Sequence, residues 1–148
     1  MHKSHQWIPL IMLGLTASVG CRRSPPQYER VQSAGPVVLI SLATLSDRDA
    51  HFYTYRAGNK IVNFFARTDA DGVPRCHFDA CYSCFKYRLG YVQQGREVIC
   101  RACRIGYDLA IPVWDYVGPC VPITLHSRIE PPYLAIPAES LDKGARFF

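Results

Sequence analysis

The 148-residue sequence has no run of five or more basic residues, although its formal net charge is +5. Cations scattered in this way describe a solvated basic surface, and nucleic acid is set aside as a partner. No Ser-His-Asp order, no pair of carboxylates in a Gly-rich setting and no phosphate loop is present. That leaves little from which to build a hydrolase or a kinase. Neither Cys-x-x-Cys pair is followed by His, since Phe85 follows Cys84 and Arg104 follows Cys103. Attached c-type haem needs that His, and a Rieske centre needs two His ligands, so both are excluded. No internal repeat is visible apart from the doubled Cys-x-x-Cys hook itself.

What is present is sulfur in a specific spacing. Cys81-Tyr82-Ser83-Cys84 is separated by fifteen residues from Cys100-Arg101-Ala102-Cys103. Two intervening residues let a chain curl until both sulfurs face one point. Two such hooks complete a tetrahedron around zinc or supply the thiolates of an iron–sulfur cluster. Metal binding by Cys81, Cys84, Cys100 and Cys103 is the first reading. Disulfide or thiol–disulfide chemistry is the second, because the compartment is expected to be oxidising. Thioredoxin-like folds carry a single such pair at the start of a helix in a βαβ unit, and this chain reads as β-rich.

The N-terminus reads as a targeting segment. Residues 1–6 are polar with Lys3 as the cation, and the fourteen residues 7–20 carry no charge. That length suits a signal-peptide core and falls short of the ~20 residues of a membrane-spanning helix. Cys21 directly after Gly20 resembles a bacterial lipoprotein cleavage site, which would place a lipid on Cys21. The competing reading is an uncleaved anchor. Both put the domain outside the cytoplasm, on the periplasmic side, and at a membrane. Residues 1–20 are therefore taken as signal or anchor, 21–35 as a Pro-containing linker, and 36–148 as the domain.

The domain reads as mostly β, with eleven Pro and ten Gly in the chain pointing to many turns. Strands are expected at Val37–Leu42, His51–Arg56, Lys60–Arg67, Val73–Phe78 and Arg96–Ile99. A hairpin turn is expected at Ala57-Gly58-Asn59 and another turn at Asp69–Gly72. Val121–His126 and Tyr133–Ile136 read as a final strand pair, and Pro137–Gly144 as a closing helical turn.

Two further cysteines leave alternatives open. Cys76, Cys81 and Cys84 form the C-x4-C-x2-C run of plant-type [2Fe–2S] proteins, yet Cys76 also reads as a buried strand thiol. Cys120, between Gly118-Pro119 and Val121-Pro122, sits on a tight turn that suits a ligand; a structural thiol is the other reading. Phe78, Tyr82, Phe85, Tyr87, Tyr91 and Tyr107 could shield a cluster from water or simply pack the core. His77 beside Cys76 offers a second ligand type, although a hydrogen-bonded His is the plainer reading.

Several stretches together resemble the FtrD-like family of bacterial membrane iron–sulfur proteins. They are His51–Tyr55, Asn63–Arg67, Asp71-Gly72, Asp79-Ala80-Cys81-Tyr82-Ser83-Cys84 and Gly90-Tyr91. Val98–Cys103, Cys120-Val121-Pro122, Ile136-Pro137-Ala138 and Gly144–Phe148 complete the set. The resemblance implies a membrane-associated protein with a cysteine-bound iron–sulfur centre, zinc being the alternative. It implies Cys81, Cys84, Cys100 and Cys103 as ligands and Cys120 as the family's additional cysteine. It further implies a carrier of electrons, rather than a catalyst, that serves a membrane redox partner in iron or metal uptake. In the family the turn around the additional cysteine usually reads Gly-Gly-Cys-Asn-Pro, where this chain has Gly118-Pro119-Cys120-Val121-Pro122, and a small apolar residue is expected in place of Cys76.

Overall fold

The computed structural model describes residues 25–112, 115, 116 and 118–148. The expected signal or anchor segment, Cys21 and Arg22-Arg23 lie outside the described residues.

The strand-rich, Gly-punctuated sequence folds as a mostly β domain around one central hairpin. Strands β3 (His51–Ala57) and β4 (Lys60–Thr68) pair antiparallel, with Ala57 opposite Lys60. Only Gly58 and Asn59 remain for the turn, and Gly58 takes φ +59°, which costs little without a Cβ. Strand β5 (Pro74–Phe78) pairs with β4 on its other side. The turn between them is the expected one. Asp69 N–H donates to Val73 O at 3.0 Å, and Arg75 and Arg67 bind the buried Asp69 carboxylate at 3.0 and 3.1 Å.

β1 (Glu29–Val31) and β9 (Thr124–Leu125) complete this five-stranded sheet, in the order β1-β3-β4-β5-β9. β1 arises inside the stretch read as a linker and runs parallel to β3, with Glu29 opposite Tyr53. A second sheet joins β2 (Val37–Ser41), β11 (Tyr133–Pro137) and β10 (Arg128–Glu130), in the order β10-β11-β2. A third joins β6 (Tyr91–Gln94), β7 (Glu97–Cys100) and β8 (Gly106–Asp108). The single α-helix among the described residues is α1 (Ala138–Gly144), where a closing helical turn was expected.

The expected final strand pair does not form. Thr124–Leu125 pairs with Cys76 and His77 of β5, whereas Tyr133–Pro137 pairs with the apolar strand β2. The cause is burial. Val38 and Ile40 need a partner whose Leu134 and Ile136 face the same interior, and all four are 3% exposed or less.

Successive strand residues point to opposite faces. The five-stranded sheet therefore serves two interiors. On one face Tyr53, Tyr55, Val62, Phe64, Ala66, Cys76 and Phe78 meet the β2 sheet and α1. On the other, Phe52 and Phe65 meet Tyr91, Val98, Tyr107 and the thiols of Cys81, Cys100 and Cys120. Gly144 of α1 has no room for a side chain, because a Cβ there would lie 2.1 Å from the Phe78 ring.

Candidate metal centre

Two short turns present the hooks. After β5 the chain passes Asp79-Ala80 into Cys81, whose carbonyl accepts the N–H of Phe85 at 3.0 Å. After β7 the Cys100 carbonyl accepts the N–H of Arg104 at 2.9 Å. Each hook is thus closed by a backbone bond from the residue after its second Cys. Arg88 and Arg104, just past the hooks, take φ +52° and +70°, so the chain reverses sharply at each. The Cys84 N–H also donates to Cys81 Sγ at 3.3 Å.

The two hooks are locked together by a buried carboxylate. Asp79 Oδ1 accepts the Tyr91 N–H at 2.6 Å and Oδ2 accepts the Tyr28 hydroxyl at 2.6 Å. Gly90, before Tyr91, has φ +64°, and a Cβ there would stand 2.1 Å from Asp79 Oδ2. The Gly90 carbonyl then accepts the Arg101 N–H at 2.9 Å, inside the second hook. Burial raises Asp79 to about 6, against the opposing pull of its Tyr28 and Tyr91 donors.

A third segment closes the site. The Tyr91 hydroxyl donates to the Cys120 carbonyl at 2.6 Å and lies 3.9 Å from its sulfur. The Ser83 hydroxyl, between the cysteines of the first hook, donates to the Pro119 carbonyl. Cys120 is delivered to the hooks by these two contacts.

Among the described residues, the sulfurs of Cys81, Cys84, Cys100 and Cys120 all lie within 4.8 Å of one another. The Cys84 and Cys120 sulfurs are 3.8 Å apart. Thiolates held at ~2.3 Å in a tetrahedron around one metal stand roughly 3.8 Å from each other. The donor set and its spacing therefore fit a thiolate-bound metal. Cys103 stands outside that group, exposed, with its thiol interacting with those of Cys120, Cys100 and Cys84.

The thiols share their protons unequally. Burial pushes Cys84 up to about 12, with Cys100, Cys103 and Cys81 adding to the shift against the opposing pull of Cys120; burial raises Cys120 as well, and there the neighbouring thiols add to it. For Cys81 and Cys103 burial acts in the same direction but is outweighed. Thiol and backbone N–H donors, from Cys120, Cys84 and Ser83 at Cys81 and from Ile105, Cys120 and Cys100 at Cys103, hold them below the ordinary range. Sulfurs this close cannot all ionise without a cation between them, and metal binding releases their protons.

A family model for membrane iron–sulfur-containing proteins of the FtrD-like type matches residues 45–148. The chain belongs to the FtrD-like family. Comparison with curated proteins and with solved structures gives no match. The FtrD-like match takes in β3 through the C-terminal residues, hence both hooks and Cys120. Tyr28, β1 and β2 precede it.

The structure sorts the remaining candidates. Cys76 is buried in the other interior, on the Phe78 face of β5, so it is a strand thiol and the C-x4-C-x2-C run does not converge. Burial raises it to about 12. His77 is fully buried against the Phe65 ring at 5.3 Å and does not belong to the grouped ligands, and among the described residues neither ring nitrogen meets a hydrogen-bond partner. Burial, then the charges of Arg67 and Arg75, lower it to about 3. Of six aromatics considered as shields, Tyr91 and Tyr107 line the thiol interior. Phe78 belongs to the opposite core, and Tyr82, Phe85 and Tyr87 are exposed. The anchoring roles of Asp79, Tyr28 and Ser83 were missed from the sequence. Asp79-Ala80 beside the first hook, and Gly90 before Tyr91, were the only available signals for them.

Proposed function

We propose that this domain is an electron carrier on the periplasmic side of a membrane, tethered through its N-terminal segment, with iron held in the thiol pocket. The observation that carries the reading is the convergence of thiols from three chain segments on one point in a member of the FtrD-like family. When bound, iron on thiolates supplies a one-electron couple.

The residues of the chain do the rest. Tyr91 and Tyr107 keep water from the buried side of the pocket, which tunes the potential of a thiolate centre. Cys84 and Cys103 are the two pocket thiols that are not buried, so electrons would leave past them. Exposed Tyr82, Tyr87 and Ile105 flank these cysteines along the chain, with the exposed cations Lys86, Arg88 and Arg104 beside them in sequence. Such a flank suits a partner with an acidic face, and association with it would weaken as salt is raised. The setting would be a membrane redox system for iron or metal uptake, or for respiration.

The test is to purify the full chain without oxygen, count its iron, and follow its visible absorption through reduction and reoxidation. Bound iron with reversible bleaching supports the carrier. A colourless protein with one zinc leaves the second reading, a zinc-stapled binding module, which the tight sulfur spacing favours equally. Thiols that toggle to disulfides without metal leave a thiol–disulfide protein. Acylation of Cys21 is tested by Cys21→Ser, which should release the protein from membranes if the lipid is its tether.

A further inference from the structure

Five thiols meet at this pocket, and both a tetrahedral metal and the common iron–sulfur centres use four protein ligands. One thiol is surplus. The spacing of the hooks makes Cys120 the odd one out; the structure makes it Cys103. Cys81, Cys100 and Cys120 are buried and Cys84 is half-buried, whereas Cys103 is exposed. Cys120 is also fixed by its own carbonyl and by the neighbouring Pro119 carbonyl, through Tyr91 and Ser83.

We propose that Cys81, Cys84, Cys100 and Cys120 close on a single metal ion, and that Cys103 is a free fifth thiol poised for ligand exchange. This rests on the metal-site reading above and deepens it. A multi-iron cluster places iron and sulfide between the thiolates of different irons and spreads them apart. Here all four sulfurs lie within 4.8 Å, the span of one ion's ligands. A single iron on four cysteine sulfurs is the simplest iron–sulfur centre. In the exchange step, the metal–sulfur bond to one resident thiolate breaks and a bond to Cys103 Sγ forms. The Cys103 proton passes to the released sulfur, and no electron is transferred. The step is made available by the contacts of Cys103 with the thiols of Cys84, Cys100 and Cys120. Because Cys103 faces solvent, it gives a metal acceptor a route to an otherwise buried ion.

The experiment uses the full chain, purified without oxygen and as loaded. It is treated with iodoacetamide, mapped by peptide mass, and assayed for metal and acid-labile sulfide. Of the six thiols of the domain only Cys103 is expected to take an adduct, with one metal retained per chain and no labile sulfide. Protection of Cys103 until a chelator is added would overturn the ligand set. So would alkylation of Cys120 with the metal retained. Labile sulfide matching two or four irons would overturn the single ion while leaving the iron carrier standing. One zinc with the same labelling pattern would do the reverse. Cys103→Ser should keep one metal and the parental absorption spectrum while passing metal to an added chelator several-fold more slowly. An unchanged transfer rate would sink the exchange role, and loss of the metal would sink the ligand set.

Discussion

The two interiors of this domain lie on opposite faces of one sheet and are held by different means. The face toward β2 and α1 is filled by apolar side chains, with Phe64, Leu134, Ile136 and Leu141 fully buried. It needs no polar bookkeeping, and burial of each such side chain is worth about 1.5–3 kcal/mol. The opposite face is built from short strands, three hook or turn segments and a set of directed hydrogen bonds around Asp79 and Cys120. Its thiols stabilise the fold fully only when a cation neutralises them. One core folds the domain, and the other uses that rigid platform to position sulfur.

The comparison breaks most visibly on removing the metal. Chelation should strip amide-exchange protection from β6, β7 and β8 while the hairpin β3–β4 and the β2–β11 pair keep theirs. Equal loss everywhere would mean that the two interiors form one cooperative unit. The converse lesion is Phe64→Ala, which should cost about 3–5 kcal/mol in urea unfolding and lower both interiors together.

A smaller effect belongs to Gly90→Ala. The backbone there has φ +64°, and the added Cβ would strike the Asp79 carboxylate. A loss of about 3 kcal/mol is expected, together with weaker metal retention, because Asp79 aligns the hooks. Stability without metal retention changing would detach Gly90 from the site.

Acid distinguishes the faces more gently. His77 is lowered from 6.5 to about 3 by burial. A depressed base binds fewer protons folded than unfolded, so its stabilisation is present above pH 6.5 and is lost as pH falls toward 3. Between pH 6.5 and pH 5 the loss is roughly 2 kcal/mol. His77→Leu should flatten that part of the urea-midpoint profile, and an unaltered slope would assign the acid sensitivity elsewhere.

The hooks were legible because they are local. Four residues, two of them intervening, suffice to aim two sulfurs, and the backbone bonds Phe85 N–H to Cys81 O and Arg104 N–H to Cys100 O close each hook within five residues. The β3–β4 hairpin was legible for the same reason, through Gly58 and Asn59. Strands β1, β6, β8 and β10 were not read as strands. Each is three or four residues long, too short for alternation to register, and each is held by its neighbours. The shielding aromatics were misread in part because a sequence does not show which face of a strand or turn Phe78 or Tyr82 occupies.

By itself the sequence determined that thiols in two hooks would sit on a small β domain, since spacing and turn chemistry act over a few residues. Tertiary structure alone decided which cysteines meet. Cys76 lies five residues before Cys81 yet faces away, because strand alternation turns it toward Phe78 and the apolar core. Cys120 lies far along the chain yet joins the pocket, because Tyr91 and Ser83 bind the carbonyls beside its sulfur. Long-range pairing and burial, which no local pattern encodes, made that choice.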